Sequence, residues 1–170
     1  MPAEIKKIDF KTFYFSKQNL LCLVISLIIF IFDRFTKINV LKNFSEQKSY
    51  FINDFLNISL IWNTGVGFGV LSFDANFYYH LITFLIFIII ILILYFIFRS
   101  NFKEKIMFST ILGGALGNFY DRVSFYAVPD FIDIHYANFH WFTFNVADIF
   151  ITLGIIFLLF NEFLKKDEKN

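Results

Sequence analysis

The chain has 170 residues, of which 58% are hydrophobic and 17% are charged, and its mean hydropathy is +0.64. These values argue against a soluble domain of ordinary composition and indicate a membrane protein. The net charge of +1, with basic residues only in short flanks of the apolar segments, argues against nucleic-acid binding. The single cysteine, Cys22, excludes an internal disulfide and a metal cluster built on thiols.

Four apolar segments predict four transmembrane helices. Residues 20–32 are apolar but too few to cross a bilayer, so we expect the first helix to continue through Asp33 and Lys37. Residues 81–98 are interrupted only by one Thr and one Tyr, which fits a complete crossing. No linker-like stretch or repeat divides the chain, so residues 1–170 are predicted to form a single membrane domain. The predicted spans are residues 20–40, 79–98, 105–122 and 146–164.

Basic residues flank these spans asymmetrically. They precede the first span, join the second to the third and follow the fourth: Lys6, Lys7, Lys11 and Lys17; Arg99, Lys103 and Lys105; Lys165, Lys166 and Lys169. The positive-inside rule therefore predicts cytoplasmic N- and C-termini, with residues 41–78 and 123–145 on the extracytoplasmic side. Since DRFTK follows the first apolar run in place of a small-residue cleavage site, this run predicts an uncleaved helix.

The outer segment after the first span contains a candidate strand. Apolar and polar residues partly alternate over residues 56–62, and Asn63 to Gly65 have turn chemistry. A short β-structure on the membrane surface is one interpretation, and an ordered loop with no special role is the other. The predicted fold class is an all-α polytopic membrane protein with four transmembrane helices and a small extracytoplasmic β-containing segment after the first helix.

Polar residues converge at the outer ends of the predicted spans. They comprise Asp33 in the first span, Asn118, Asp121 and Arg122 in the third, Asn145 and Asp148 at the start of the fourth, and Asp130 and Asp133 in the outer connection. Ionisable groups at membrane depth are costly and usually face a polar cavity or one another. Their convergence at one face therefore predicts a functional site.

Each of these polar residues also has a purely structural interpretation. Asp33 and Lys37 are four apart on a helix and would neutralise one another. Asn145 could cap the fourth helix, with Asp148 in its first turn. Asp121 and Arg122 could form an interfacial ion pair, and the Gly-x3-Gly spacing of residues 113–117 favours close helix packing whatever the chemistry.

A pair of carboxylates is the chemistry that these residues favour. No nucleophile-elbow pattern accompanies any of the three histidines, which argues against Ser/His/Asp catalysis. Two neighbouring acids cannot both ionise easily, so one can hold a proton while the other activates water, and Asp130 and Asp148 are the candidates. Metal binding is the alternative, but its spacing matches no specific site, and we expect no metal or cofactor. The residues of that alternative are Asp130, Asp133, His135 and His140.

Five ordered motifs carry a family resemblance. They are FDRFTK at 32–37, NTGVGFG at 63–69, GGALGNFYDR at 113–122, VPDFID at 128–133 and FNVAD at 144–148. The chain closely resembles the lipoprotein signal peptidases, the type II signal peptidases, which are four-span aspartic proteases of the bacterial cytoplasmic membrane. The resemblance covers most of the chain.

The resemblance implies that Asp130 and Asp148 are the catalytic pair, with Asp133 a neighbouring acid outside it. Two departures from the family pattern are visible: Gly67 stands where the family usually has Ala, and Pro129, just before Asp130, restricts the local backbone. The residues with implied positioning or substrate-contact roles are Asp33, Asn63, Gly113, Asn118, Arg122, Asn145 and Ala147.

The resemblance also implies the substrate and the location. The substrate would be a prolipoprotein whose lipobox Cys carries a diacylglyceryl group, cleaved immediately before that Cys at the outer face of the inner membrane. The other expected partners are membrane lipids, with no nucleic acid, and we expect a monomer. Part of residues 51–74 or of residues 125–143 is a candidate lid. A small ion- or proton-conducting transporter component, using Asp33, Asp121 and Asp148, is the main alternative. A purely structural membrane subunit is the second.

Overall fold

The described residues of the computed structural model, 16–44, 48–65, 77–137 and 139–167, form four long helices and a four-stranded antiparallel sheet. The helices are α1 (Lys17–Asn43), α2 (Phe77–Arg99), α3 (Phe102–Phe125) and α4 (Val146–Asp167). The strands are β1 (Ser49–Asn53), β2 (Leu56–Asn63), β3 (Val128–Tyr136) and β4 (Phe139–Phe144). Each of the four predicted spans falls within one helix. The departure at Gly67 and part of the candidate lid, residues 66–74, lie outside the described residues.

Polar side chains set the ends of two helices. The Ser16 hydroxyl accepts a hydrogen bond from the backbone N–H of Asn19, and the Asn101 side chain accepts one from Glu104 N–H, both at 3.2 Å. These caps satisfy donors that have no partner within the first helical turn. At its other end α3 stops at Tyr126, whose left-handed φ of 58° cannot continue a helix.

The central helix is α3, which packs against the other three helices. Small residues allow this close approach: a Cβ at Gly113 would lie 2.7 Å from the carbonyl oxygen of Ser26 in α1. A Cβ at Gly114 would lie 2.5 Å from the carbonyl oxygen of Ala147 in α4. At Gly117 it would overlap the carboxylate of Asp33. The Gly-x3-Gly spacing thus marks a close helix contact, as the sequence predicted.

Two apolar clusters join the elements. Cys22, at 1% exposure, packs with Ile90 of α2 and Leu112 of α3, so it acts as a small hydrophobic residue as expected. A second cluster joins the sheet to the helices through Val40 of α1, Leu60 of β2, Phe131 of β3 and Val146 of α4. This second cluster fixes β3 against the start of α4.

The helices bury charge and expose apolar side chains. Asp33, Lys37 and Asp121 have no exposed surface, whereas Leu20 and Ile28 on the outer side of α1 are 59% and 60% exposed. By length and composition, the helical segments Tyr79–Arg99 and Val146–Lys165 are apolar enough to cross a membrane.

The sheet joins both segments that were predicted to be extracytoplasmic. Its order is β1-β2-β3-β4, with β1 and β2 from the first segment and β3 and β4 from the second. The predicted strand at residues 56–62 is confirmed as β2. The sequence did not predict β3 and β4, which follow α3 and complete the sheet. The sequence pattern does not predict β3. Asp130 and Asp133 are three residues apart, whereas Asp133 and His135 are two apart, so the strand lacks the regular alternation of a half-buried strand.

Candidate active site

Asp130 lies near the start of β3 and is 3% exposed. Its Oδ2 accepts a hydrogen bond from Nδ2 of Asn63 at 2.8 Å, and its Oδ1 accepts one from Nδ2 of Asn145 at 2.6 Å. Asn63 ends β2, whereas Asn145 precedes α4. The carboxylate is therefore held between the sheet and the bundle.

Pro129 is compatible with this position in the strand. At Pro129, β3 is paired with Trp62 of β2, and its pairing with β4 begins only at Ile132. The missing N–H of proline thus removes no bond from the β3–β4 ladder.

Asp148 lies in the first turn of α4 and is bound from two sides. Its Oδ1 accepts a hydrogen bond from Nδ2 of Asn118 in α3 at 2.8 Å. Its Oδ2 accepts one from the backbone N–H of Asn145, whose Oδ1 accepts one from the N–H of Asp148, both at 3.1 Å. This reciprocal pair caps α4, so the structural interpretation of Asn145 and Asp148 is confirmed.

Asn145 joins the two candidate catalytic acids. One side chain donates to Asp130 and accepts from the backbone of Asp148, and it is completely buried. The structure thus brings together the two carboxylates that sequence reasoning paired. Burial, followed by the negative charge of Asp148, raises the pKa of Asp130 to about 7, although the amide donors Asn63 and Asn145 oppose this.

A buried ion network contacts Asp148 through Asn118. Nζ of Lys37 lies 2.8 Å from Asp33 Oδ2, 2.7 Å from Asp121 Oδ2 and 2.8 Å from Oδ1 of Asn118. Arg34 forms a second ion pair with Asp121. Two acids and two bases therefore compensate one another, and the Lys37–Asn118 hydrogen bond links them to Asp148.

Asp33 also fixes the start of α4. Its Oδ1 accepts a hydrogen bond from the backbone N–H of Ala147 at 3.0 Å, and Ala147 is completely buried. Gly117 provides the space for this carboxylate. Gly113, one turn earlier, lies against Ser26 and Ile29, so it packs α3 against α1.

Arg122 holds the turn that follows β2. Its Nη2 donates to the carbonyl oxygen of Gly65 at 2.8 Å and its Nη1 to that of Asn118 at 3.3 Å. The N–H of Gly65 in turn donates to Oδ1 of Asn63 at 2.9 Å, which orients the amide that binds Asp130. The Tyr79 hydroxyl donates to the carbonyl oxygen of Arg122 at 3.0 Å.

Asp133 lies outside this site. It is three residues from Asp130 on a strand whose side chains alternate between faces, so the two acids point to opposite sides of the sheet. Asp133 instead contacts Nδ1 of His140 at 2.8 Å and Nδ2 of Asn57 at 3.4 Å. The four residues of the metal alternative are thus divided between two faces.

An apolar cavity of about 260 Å³ adjoins Asp148. Its walls come from β3, β4 and α4: Ile134, Phe142, Phe144, Ile149, Thr152 and Leu153. A largely apolar cavity with a single carboxylate suits a ligand that is apolar near a reacting bond.

Sequence reasoning missed the extent of the ion network. It paired Lys37 with Asp33 alone, whereas Lys37 also binds Asp121 and Asn118 on α3. A lysine within a predicted membrane span is the signal that could have revealed a larger network. The roles of Tyr79 and Gly65 left no such signal, since both act through backbone or hydroxyl contacts that depend on the fold.

Two buried aspartates, one on β3 and one on α4 beside an apolar cavity, together with helices that expose apolar faces, are typical of a membrane enzyme with aspartic chemistry. The family model described as "Signal peptidase (SPase) II" matches residues 25–164. The chain therefore belongs to the signal peptidase II family and is a hydrolase of that family.

Relatives and solved structures agree with this family. The chain is 46% identical to the lipoprotein signal peptidase of Pelagibacter ubique over 172 residues, covering 98% of this chain and 100% of the relative. It is 38% identical to that of Burkholderia mallei over 140 residues, with coverages of 81% and 84%. A bacterial membrane enzyme structure obtained by the in meso method at 2.3 Å resolution matches with a TM-score of 0.75, 31% identity and coverages of 88% and 92%. The transporter alternative finds no support in these comparisons.

Proposed function

We propose that the chain removes the signal peptide from diacylglyceryl-modified prolipoproteins by cleaving immediately before the lipidated Cys, with Asp130 and Asp148 as the catalytic pair. Family membership supports the reaction class, and relatives named lipoprotein signal peptidase support the substrate. The observation that carries the residue assignment is the Asn145 side chain, which is hydrogen-bonded to Asp130 and to the backbone of Asp148.

In the proposed reaction one aspartate takes the proton of a water molecule as the water attacks the scissile carbonyl. The other donates a proton to the carbonyl oxygen, and the roles reverse as the amine leaves. A pKa of about 7 for Asp130 favours a pair that shares one proton near neutral pH. Such a pair supplies both an acid and a base without a metal or cofactor.

The positioning residues act through the contacts described above. Asn63 and Asn145 orient Asp130, Asn118 and Asn145 orient Asp148, and Arg122 holds the turn that carries Gly65. The remaining predicted positioning residues act on the helices: Asp33 and Ala147 fix the start of α4, and Gly113 sets the α1–α3 distance.

The proposed setting is the bacterial inner membrane, crossed four times by one domain over residues 1–170. Helix α1 buries its charged side chains and exposes apolar ones, which supports its insertion as a span. Its charged residues nevertheless lower its mean hydropathy. Basic flanks favour cytoplasmic termini, which puts the sheet and the aspartate pair at the extracytoplasmic face. We propose a monomer that binds membrane lipids through these exposed apolar faces.

The cavity beside Asp148 would receive an apolar part of the substrate near the scissile bond. Its walls include Phe142, Phe144 and Leu153, which suit an acyl chain or the apolar signal helix. Both parts of the proposed substrate arrive within the bilayer, at the depth where α4 begins.

Cleavage of a purified diacylglyceryl-prolipoprotein in nanodiscs tests this function. The wild-type chain should cut before the lipidated Cys with and without chelator, and Asp130→Asn and Asp148→Asn should fold but not cut. Asp133→Asn is the matched control, because it makes the same change on the opposite face of β3 and should still cut. Activity retained by Asp130→Asn or Asp148→Asn, or abolished by chelator, would overturn the assignment. A structural subunit would show no cleavage by any variant.

A further inference from the structure

We propose that Asp133, His135 and His140 form a binding site for a divalent transition cation such as Zn²⁺, on the face of the sheet opposite Asp130. This site is separate from the catalytic pair and does not depend on the proposed peptidase reaction.

The sheet brings the three side chains together. Asp133 and His135 are two residues apart on β3 and therefore share a face, and His140 of β4 is the register partner of His135. The two imidazole rings lie nearly parallel, 5.2 Å apart between centroids. Nδ1 of His140 lies 2.8 Å and 3.0 Å from the two oxygens of Asp133. One potential ligand atom from each of the three residues lies within 4.8 Å of the others.

Unsatisfied polar atoms in the same place point to a missing ligand. His135 is 7% exposed, and its Nδ1 is buried with no hydrogen-bond partner among the described residues. Oδ1 of Asn57, on the neighbouring strand β2, is in the same condition. Buried polar groups rarely lack partners, and a cation bound by Nδ1 of His135 beside Asp133 would give this nitrogen a partner.

The donor chemistry favours zinc over a hard cation. Two imidazoles and one carboxylate are common Zn²⁺ ligands, whereas Mg²⁺ and Ca²⁺ prefer sites made of oxygen atoms alone. The amide of Asn57 donates toward Oδ2 of Asp133, the kind of outer contact that orients a ligating carboxylate. The His140 side chain is 54% exposed, so the cation can enter without opening the sheet.

Binding would connect β3 to β4 near the last pair in their register, Tyr136 and Phe139. In the absence of cation, Asp133 and His140 hold one another as a salt bridge or a hydrogen bond, depending on the His140 proton. The ligating nitrogens must be unprotonated to bind the cation, so its affinity should fall as pH falls.

The test uses the full chain in nanodiscs, titrated with Zn²⁺ against a chromophoric chelator and, separately, with Co²⁺ followed by its visible absorption. We expect one ion per chain in the wild type, and an affinity weakened about tenfold or more in His135→Ala and in His140→Ala. His80→Ala is the matched control, because exposed His80 lies on α2, where its ring contacts Tyr79 and Tyr126. It should bind like the wild type.

Wild-type protein that binds no Zn²⁺ would overturn the proposal, as would a wild-type affinity in both His135→Ala and His140→Ala. Because His140 is half exposed, His140→Ala should fold even if His135→Ala does not, and unfolding curves recorded with chelator check this. No substrate enters these titrations, so their failure is distinct from failure of the peptidase assignment. Cleavage itself should be unchanged in His140→Ala.

Discussion

Replacing Asn145 by Ala should damage both folding and catalysis, because this one side chain serves both. The substitution removes the helix cap on Asp148 N–H and the 2.6 Å hydrogen bond to Asp130. A lost cap costs about 1 kcal/mol and a lost hydrogen bond to a charged group about 1.5–3 kcal/mol, so we expect a loss of about 2.5–4 kcal/mol in unfolding free energy.

The catalytic loss should exceed what this instability explains. Without Asn145, Asp130 keeps only the Asn63 donor, and no side chain couples its position to the start of α4. Misplacement of a catalytic group by about 1 Å can cost on the order of 100-fold in rate, so kcat should fall by this order while KM changes little. The assay is cleavage kinetics on a lipidated prolipoprotein at a temperature where the variant is fully folded.

Asn39→Ala is the matched control for this variant. Asn39 lies on the exposed side of α1, where its Nδ2 donates to the carbonyl oxygen of Phe35 at 2.8 Å. It should leave both kcat and unfolding almost unchanged. If Asn145→Ala lost stability but kept wild-type kcat, the asparagine would be a helix cap only, and the argument that it positions the aspartate pair would be refuted.

Three further predictions concern charge, space and protons. Lys37→Met leaves Asp33 buried without its cation and removes one of two cations from Asp121. The unfolding free energy, measured by denaturant titration, should therefore fall by about 3–5 kcal/mol. A near-neutral result would contradict the ion network. Gly117→Ala places a methyl group against the Asp33 carboxylate and should reduce cleavage in membranes at normal expression, whereas wild-type cleavage would show that α1 can move away. The rate of cleavage should fall as pH rises through about 7, because Asp130 then loses the proton that the pair must share. A pH–rate profile that stays flat from pH 6 to 9, a range of about one unit below and two above that pKa, would argue against this role.

The helices could be predicted from the sequence because their signal is local. Each long apolar run requires a helix to satisfy its own backbone within the bilayer, whatever its neighbours are. The sheet was predictable only at β2, where alternation is visible. Strands β3 and β4 follow β2 by more than sixty residues, and the pairing of Asn57 with Asp133 depends on how α1 and α3 place the two segments.

The candidate site likewise has a part that the sequence predicts and a part that it does not. Asp130 and Asp148 could be chosen from their motifs, and the cap formed by Asn145 follows from its place before an apolar run. The contact between Lys37 and Asn118 could not, because they are 81 residues apart and meet only when Gly113 and Gly117 let α3 approach α1. Sequence spacing predicts side-chain pairs within one helix, whereas the pairs that build this site join two different helices.

The charges that lower the apolar character of α1 are the same charges that support the site. Asp33 and Lys37 both lie on α1, whereas their partners lie on two other helices: the N–H of Ala147 on α4 and Asp121 on α3. In a low-dielectric bundle an unpaired charge costs far more than a paired one, so these helices are stable only in the arrangement that pairs them. That arrangement sets the start of α4 beside Asp33 and hence fixes Asp148 relative to Asp130. With Asp130 and Asp148 as the proposed catalytic pair, the glycines of α3 are needed for catalysis as well as for packing. A single methyl group at Gly117 should therefore impair a reaction at carboxylates that it does not touch.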